Sequence, residues 1–91
     1  HDEIRNHVDI EALINDPSAN VRRATCGMLS SWNDEESIEA LKHLAKTDPH
    51  PRVKIQAMRG LLRSPTATVD DPTIMSDTTW HWAREEATVR G

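Results

Sequence analysis

The chain has 91 residues, 29% of them charged, and a formal net charge of −4, which suits one small globular domain rather than two. Its apolar fraction of 36% excludes a disordered composition. No apolar run approaches the ~20 residues of a membrane span, so no membrane insertion is expected. The mild acidity argues against nucleic-acid binding, because phosphate recognition needs concentrated positive charge.

The start of the chain and its cysteine content leave the localisation open. The chain begins at His1 rather than at methionine, which indicates a processed product or a fragment. No signal peptide is visible, an observation of little weight in a fragment. The one cysteine, Cys26, excludes an internal disulfide, so folding does not depend on an oxidising compartment.

Helical periodicity and proline punctuation predict an all-α fold. Four dipeptides end one helix or lead into the next, namely Asp16-Pro17, Asp48-Pro49, Ser64-Pro65 and Asp71-Pro72. Between these stops apolar residues recur at helical spacing, and no segment alternates with the period of a strand. The predicted helices run roughly over residues 3–14, 19–32, 34–46, 51–63 and 72–89.

The fourth predicted helix is apolar on two sides, which indicates that it lies between neighbouring helices. Gly60 lies within one apolar stripe and would allow close helix approach. The remaining strip, here called the basic ridge, consists of Arg52, Gln56, Arg59 and Arg63. It is expected to face solvent. It either contacts an acidic partner surface or a phosphate, or it is a solvated face partly paired with Glu35, Glu36 and Glu39.

The position of each tryptophan on its predicted helix indicates whether it lies in the core or on the surface. Trp82 shares a face with Ile74 and Met75 and is expected to be buried. Trp80 falls on the opposite face, where it either contacts a partner, as interface aromatics often do, or packs on a loop around Val69. Trp32 closes the apolar stripe of the second helix and is expected in the core.

A repeat is the most informative feature of the sequence. A shift of 32 residues places Asp16-Pro17 on Asp48-Pro49, Val21 on Val53 and Arg22 on Lys54. The repeated unit is a helix, an Asp-Pro turn and a second helix. The two copies of the turn and second helix read DPSANVRRATCGML and DPHPRVKIQAMRGLL.

These segments resemble the HEAT repeat family, including its bacterial HEAT-like members, and the resemblance covers about residues 4–63. It implies an α–α superhelix of helical hairpins. We predict two hairpins in residues 1–64, followed by a linker and a C-terminal helix in residues 65–91 that is a degenerate repeat or a cap.

The resemblance also implies a hydrogen-bonded ladder between neighbouring repeats. In the family, it joins an aspartate to an arginine six positions later. Asp16 with Arg22 and Asp48 with Lys54 match those positions. Lys54 cannot make the forked contact of an arginine, so the ladder is expected to be incomplete.

Nothing in the sequence predicts catalysis. The five histidines form neither HxxxH nor HExxH, CxxC is absent, and Cys26 has no activating signal. HEAT-like deoxyhypusine hydroxylases hold iron with His-Glu pairs, and this sequence contains none. No catalytic residue, metal site or cofactor is therefore expected, and the chain is not expected to be an enzyme.

The expected function is binding or scaffolding of a protein partner, or of adjacent domains of a larger chain, as a subunit or fragment of an assembly. An apolar edge at Ile4, Val8 and Ile10 indicates that something packs at the N-terminal end. The alternative is an enzyme-associated module. It would resemble bilin lyases or form a helical appendage of a larger, possibly redox, enzyme. A resemblance to alkylpurine DNA glycosylases is disfavoured by the acidity and length of the chain.

Overall fold

A computed structural model describes residues 8–90, which form six α-helices and no strand. The helices are α1 (Ile10–Ile14), α2 (Ala19–Trp32), α3 (Glu35–Thr47), α4 (Pro51–Arg63), α5 (Pro72–Met75) and α6 (Thr78–Arg90). The all-α prediction is confirmed.

Side-chain caps set where most of the helices begin. Asp9, Ser18, Asp34, His50 and Asp71 are N-caps, and each accepts a backbone N–H from the first turn of its helix. His50 and Asp71 stand before a proline at the first helical position, where the missing N–H removes no helix hydrogen bond. The predicted bounds of α2 and α4 are confirmed for this reason.

The first predicted helix starts too early. Residues 8 and 9 are not helical, and α1 begins at Ile10. Asp9 Oδ1 accepts the N–H of Ala12 at 3.1 Å, which makes Asp9 a cap rather than part of a helix. The predicted starting residue, Glu3, lies outside the described residues.

The fifth predicted helix is two helices. α5 ends at Met75, and α6 begins at Thr78. Asp77 causes the break, because its carbonyl oxygen accepts the N–H groups of Trp80 and His81, and its Oδ1 accepts that of Thr79 at 2.8 Å. An aspartate in this role competes with the helical conformation of its own backbone. The faces of α6 therefore do not continue those of α5.

α4 is the central helix, and it packs against α2, α3 and α6. Its two apolar stripes account for this position, since Val53, Ala57, Met58 and Leu61 are all buried. Gly60 lies where α4 comes close to both α2 and α3. A Cβ atom added there would stand 3.3 Å from Ser30 Cβ and Leu41 Cδ1. The predicted close approach is confirmed.

The helices stack as consecutive pairs, here called the first unit (α1–α2), the second unit (α3–α4) and the third unit (α5–α6). The second helices of neighbouring units pack on each other, α2 against α4 and α4 against α6. This arrangement is an α–α superhelix, confirming the predicted fold class. Ile10 is buried in its core and Val8 packs against it, so the predicted open edge was wrong at Ile10, while Ile4 lies outside the described residues.

Candidate protein-binding surface

A forked ion pair joins the first unit to the second. Arg22 on α2 donates from Nε to Asp48 Oδ2 at 2.7 Å and from Nη2 to Asp48 Oδ1 at 3.2 Å. Its Nη1 donates to the carbonyl oxygen of Asp16 at 2.8 Å. The Asp48 hydrogen bond raises the pKa of Arg22 above its ordinary value. The planar guanidinium of Arg22 thus connects the turn at Asp16, before α2, to the turn at Asp48, before α4.

The same contact recurs at the next junction with a lysine. Lys54 Nζ donates to Asp77 Oδ2 at 2.7 Å. Asp48 and Asp77 are equivalent, since each also accepts the N–H two residues later, from His50 and Thr79. Lys54 therefore continues the contact to the third unit, although it cannot fork.

Sequence reasoning missed Asp77. It paired each cation with the aspartate six residues before it, whereas the structure pairs each cation with the aspartate of the following turn. The signal was present in Ser76-Asp77-Thr78-Thr79, a run of capping residues inside a segment read as one helix. Asp16 contributes its carbonyl oxygen to Arg22, and its Oδ1 accepts the N–H of Ser18.

Two further ion pairs hold the third unit on the second. Lys46 Nζ lies 3.1 Å from Asp71 Oδ2, and Arg59 Nη2 lies 2.9 Å from Glu86 Oε1. Hydrogen bonds from the lysines lower the pKa of Asp71, beside Lys46, and of Asp77, beside Lys54. In both pairs the cation belongs to the second unit, so the third unit docks through its acids.

The predicted burial of Trp82 was wrong, and of the two alternatives for Trp80 the structure excludes contact with a partner. Trp80 is buried, with 5% of its surface exposed, and Trp82 is 50% exposed. The reason is the break at Asp77, which removes the helical phase from which the faces were assigned. Trp80 and Ala83 form the buried face of α6, and Trp82 lies to one side of it. Trp80 thus offers no surface to a partner. Trp32 is half-buried and packs against the core, as expected.

The basic ridge is only partly exposed. Arg52 and Arg63 are exposed, whereas Gln56 and Arg59 are half-buried. Arg59 pairs with Glu86 on α6 rather than with the acids of α3, and its guanidinium carbon lies 5.7 Å from the centre of the Trp82 ring. That distance permits a cation–π contact. α6 therefore covers the middle of the ridge and adds Trp82 to its edge.

Trp82 and the ridge border a groove between α4 and α6. The groove encloses an open volume of about 540 Å³. Pro51, Arg52 and Ile55 line it on α4; Thr78, Thr79 and Trp82 line it on α6. The two helices thus present an apolar channel with one cation at its side.

The structure brings no metal-binding cluster together within residues 8–90. No three side chains among the histidines, cysteine and acids of that range could hold a metal ion. Cys26 is buried, its Sγ lies 3.9 Å from the Val53 carbonyl oxygen, and burial raises its pKa to about 12. Such a thiol is a poor nucleophile at neutral pH. None of the helices in this range has the length and apolarity to span a membrane.

Comparison with protein families identifies a repeat family. A model described as HEAT repeats matches residues 9–88, nearly the whole described chain. Repeats of this kind generally mediate protein interactions or act as scaffolds and are typically non-catalytic. Neither the curated proteins nor the solved structures include a significant match.

Proposed function

The chain belongs to the HEAT repeat family, and from that premise we propose that it binds a protein partner, or an adjacent domain of a larger polypeptide, through the surface formed by α4 and α6. The binding surface consists of the exposed arginines of the ridge, Arg52 and Arg63, together with Trp82.

The observation that carries this proposal is the exposure of Trp82. A tryptophan with 50% of its surface in water forgoes the burial that stabilises the other two, and exposed aromatic side chains beside arginine are typical of interface centres. It is also held in place, because Arg59 lies over its ring and is itself anchored by Glu86. A fixed side chain loses little conformational entropy on binding.

Charge reversal at the ridge tests the proposal. Tagged chain would be recovered from cells of its own source, with its co-purifying polypeptides measured by native mass spectrometry. Arg52→Glu combined with Arg63→Glu is expected to lower recovery of the partner by about tenfold or more. Arg59 is left intact, because it anchors α6. The matched control is Arg23→Glu with Arg84→Glu, which makes the same charge change at exposed positions outside the ridge.

A partner retained equally by both double variants would show that the ridge is only a solvated face. Recovery of the unmodified chain with no co-purifying polypeptide would contradict the protein-binding proposal itself. Circular dichroism of each variant establishes that it is folded before recovery is compared.

A further inference from the structure

We infer that the groove between α4 and α6 binds an extended peptide segment that carries an acidic residue next to an apolar one. The inference rests on the proposed function and specifies the chemistry of the partner.

The shape of the groove favours a peptide. It is an open channel of about 540 Å³ between two helices, rather than an enclosed pocket for a small ligand. Ile55 and Trp82 provide apolar walls on opposite sides, and Thr78 and Thr79 provide hydroxyl groups. An extended chain can place one apolar side chain between the walls while its backbone remains hydrogen-bonded to the hydroxyls or to water.

The charges beside the groove determine which sign of charge on the partner is favoured. Lys54 and Arg59 are neutralised by Asp77 and Glu86. Arg52 lines the groove, is exposed, and forms no ion pair with the residues that the structure describes. Its fork fits a carboxylate in two parallel hydrogen bonds. Arg52 is the one charged residue among the described residues that line the groove, so the charge that the groove lining offers a ligand is positive.

A single unmatched arginine favours an acidic peptide over nucleic acid. Binding to a phosphate backbone draws on several cations in a row, and a chain of net charge −4 repels it. A peptide requires only one carboxylate for Arg52 and one apolar side chain for the walls.

The probe is a random 12-residue peptide library displayed on phage and panned against the full chain. Selected peptides are then synthesised and their affinity is measured by fluorescence anisotropy. We expect selected peptides to be enriched in Asp or Glu within two positions of Leu, Ile, Phe or Trp. Arg52→Glu and Trp82→Ala should each weaken their binding at least tenfold, while Arg84→Glu on the other side of α6 should leave it unchanged.

Three results would overturn the inference. The first is a selected pool without acidic enrichment, or no selected peptide at all. The second is binding that survives both Arg52→Glu and Trp82→Ala. The third is a concentration-dependent dimer, measured by sedimentation, that Arg52→Glu abolishes, since a second copy would then occupy the groove. A partner that co-purifies from the native source and is lost on ridge reversal would still support the proposed function after any of these results.

Discussion

At the scale of single residues, Asp16 and Asp48 show how one motif serves different purposes. Both precede proline, and both accept the N–H two residues later. Asp48 additionally neutralises Arg22 and is buried, with 2% of its side chain exposed. The carboxylate of Asp16 forms no ion pair at contact distance within residues 8–90, although its charge helps to raise the pKa of Arg22, which donates to the Asp16 carbonyl oxygen instead.

Asp48→Asn should therefore destabilise the chain more than Asp16→Asn. Asparagine keeps an acceptor for the backbone N–H of His50 but leaves the guanidinium of Arg22 without its counter-charge. This loss should cost about 2 kcal/mol of unfolding free energy. Asp16→Asn removes no ion pair of the described structure and should cost less than about 1 kcal/mol. Urea unfolding at neutral pH measures both. Equal losses would mean that the two aspartates matter only as acceptors for the backbone N–H groups of Ser18 and His50.

At the scale of the helices, the repeat made much of the fold predictable. The Asp-Pro punctuation predicted α2 and α4 with their bounds, and the stripes of α4 predicted a helix packed on two sides with Gly60 at a close approach. The break between α5 and α6 was not predicted, because Ile74 and Trp82 fit one helical face when Asp77 is read as helical. Asp77 accepts the N–H of Thr79 with Oδ1 and the ammonium of Lys54 with Oδ2, and neither contact leaves a trace in the apolar periodicity.

The candidate site was less predictable than the fold for the same reason. The ridge residues were identified from α4 alone, but what covers them belongs to α6. Glu86 and Trp82 contact Arg59 only because α6 restarts at Thr78. A surface composed of two helices depends on their relative phase, and one unrecognised cap led to the prediction that Trp82 is buried, although it is 50% exposed.

Gly27 and Gly60 provide an internal comparison of helix packing. Both lie inside helices, where glycine is less favourable than alanine by up to about 1 kcal/mol. A Cβ at Gly27 would meet nothing within 4 Å, whereas one at Gly60 would crowd Ser30 Cβ and Leu41. Gly27→Ala should raise the free energy of unfolding by about 0.5–1 kcal/mol. The free energy of unfolding of Gly60→Ala should be lower than that of Gly27→Ala by about 1–2 kcal/mol, because overpacking against Ser30 and Leu41 opposes the stabilisation that alanine provides.

Thermal and urea unfolding of both alanine variants measures this difference. Arg23→Ala on the exposed side of α2 is the reference for a change that affects neither backbone freedom nor packing. If Gly60→Ala stabilises the chain as much as Gly27→Ala, the contact between α2 and α4 is looser than the described distances imply.

At the scale of the whole molecule, the ion pairs between units share one direction. In the four that join units within the described chain, the cation lies in the earlier unit and the acid in the later one: Arg22 with Asp48, Lys46 with Asp71, Lys54 with Asp77 and Arg59 with Glu86. Within the described chain, the third unit therefore contributes only acids to its ion pairs with the second, and Ile74, Trp80 and Ala83 are its buried apolar residues.

Because the third unit pairs with the second through carboxylates, protonation of those carboxylates at low pH should weaken its attachment. The folded-state pKa of Asp77 lies below its ordinary value of 3.8, mainly because Lys54 donates to it, and that of Asp71 is lowered by Lys46. A lowered pKa means that the folded state favours the charged form. The stabilisation is therefore present above pH 3.8 and is lost as pH falls through the lowered folded-state values.

We expect the free energy of unfolding to fall as the pH is lowered through 3.8 and below, and Asp77→Asn to make that fall shallower while lowering stability at neutral pH. Urea unfolding across this range, followed by tryptophan fluorescence, measures both effects, since Trp80 reports on the docking of α6. Asp70→Asn is the matched control, because it removes an exposed carboxylate of the same segment and no ion pair of the described structure. An unchanged pH dependence in Asp77→Asn would mean that the apolar contacts of Ile74 and Trp80 hold the third unit without help from Lys54.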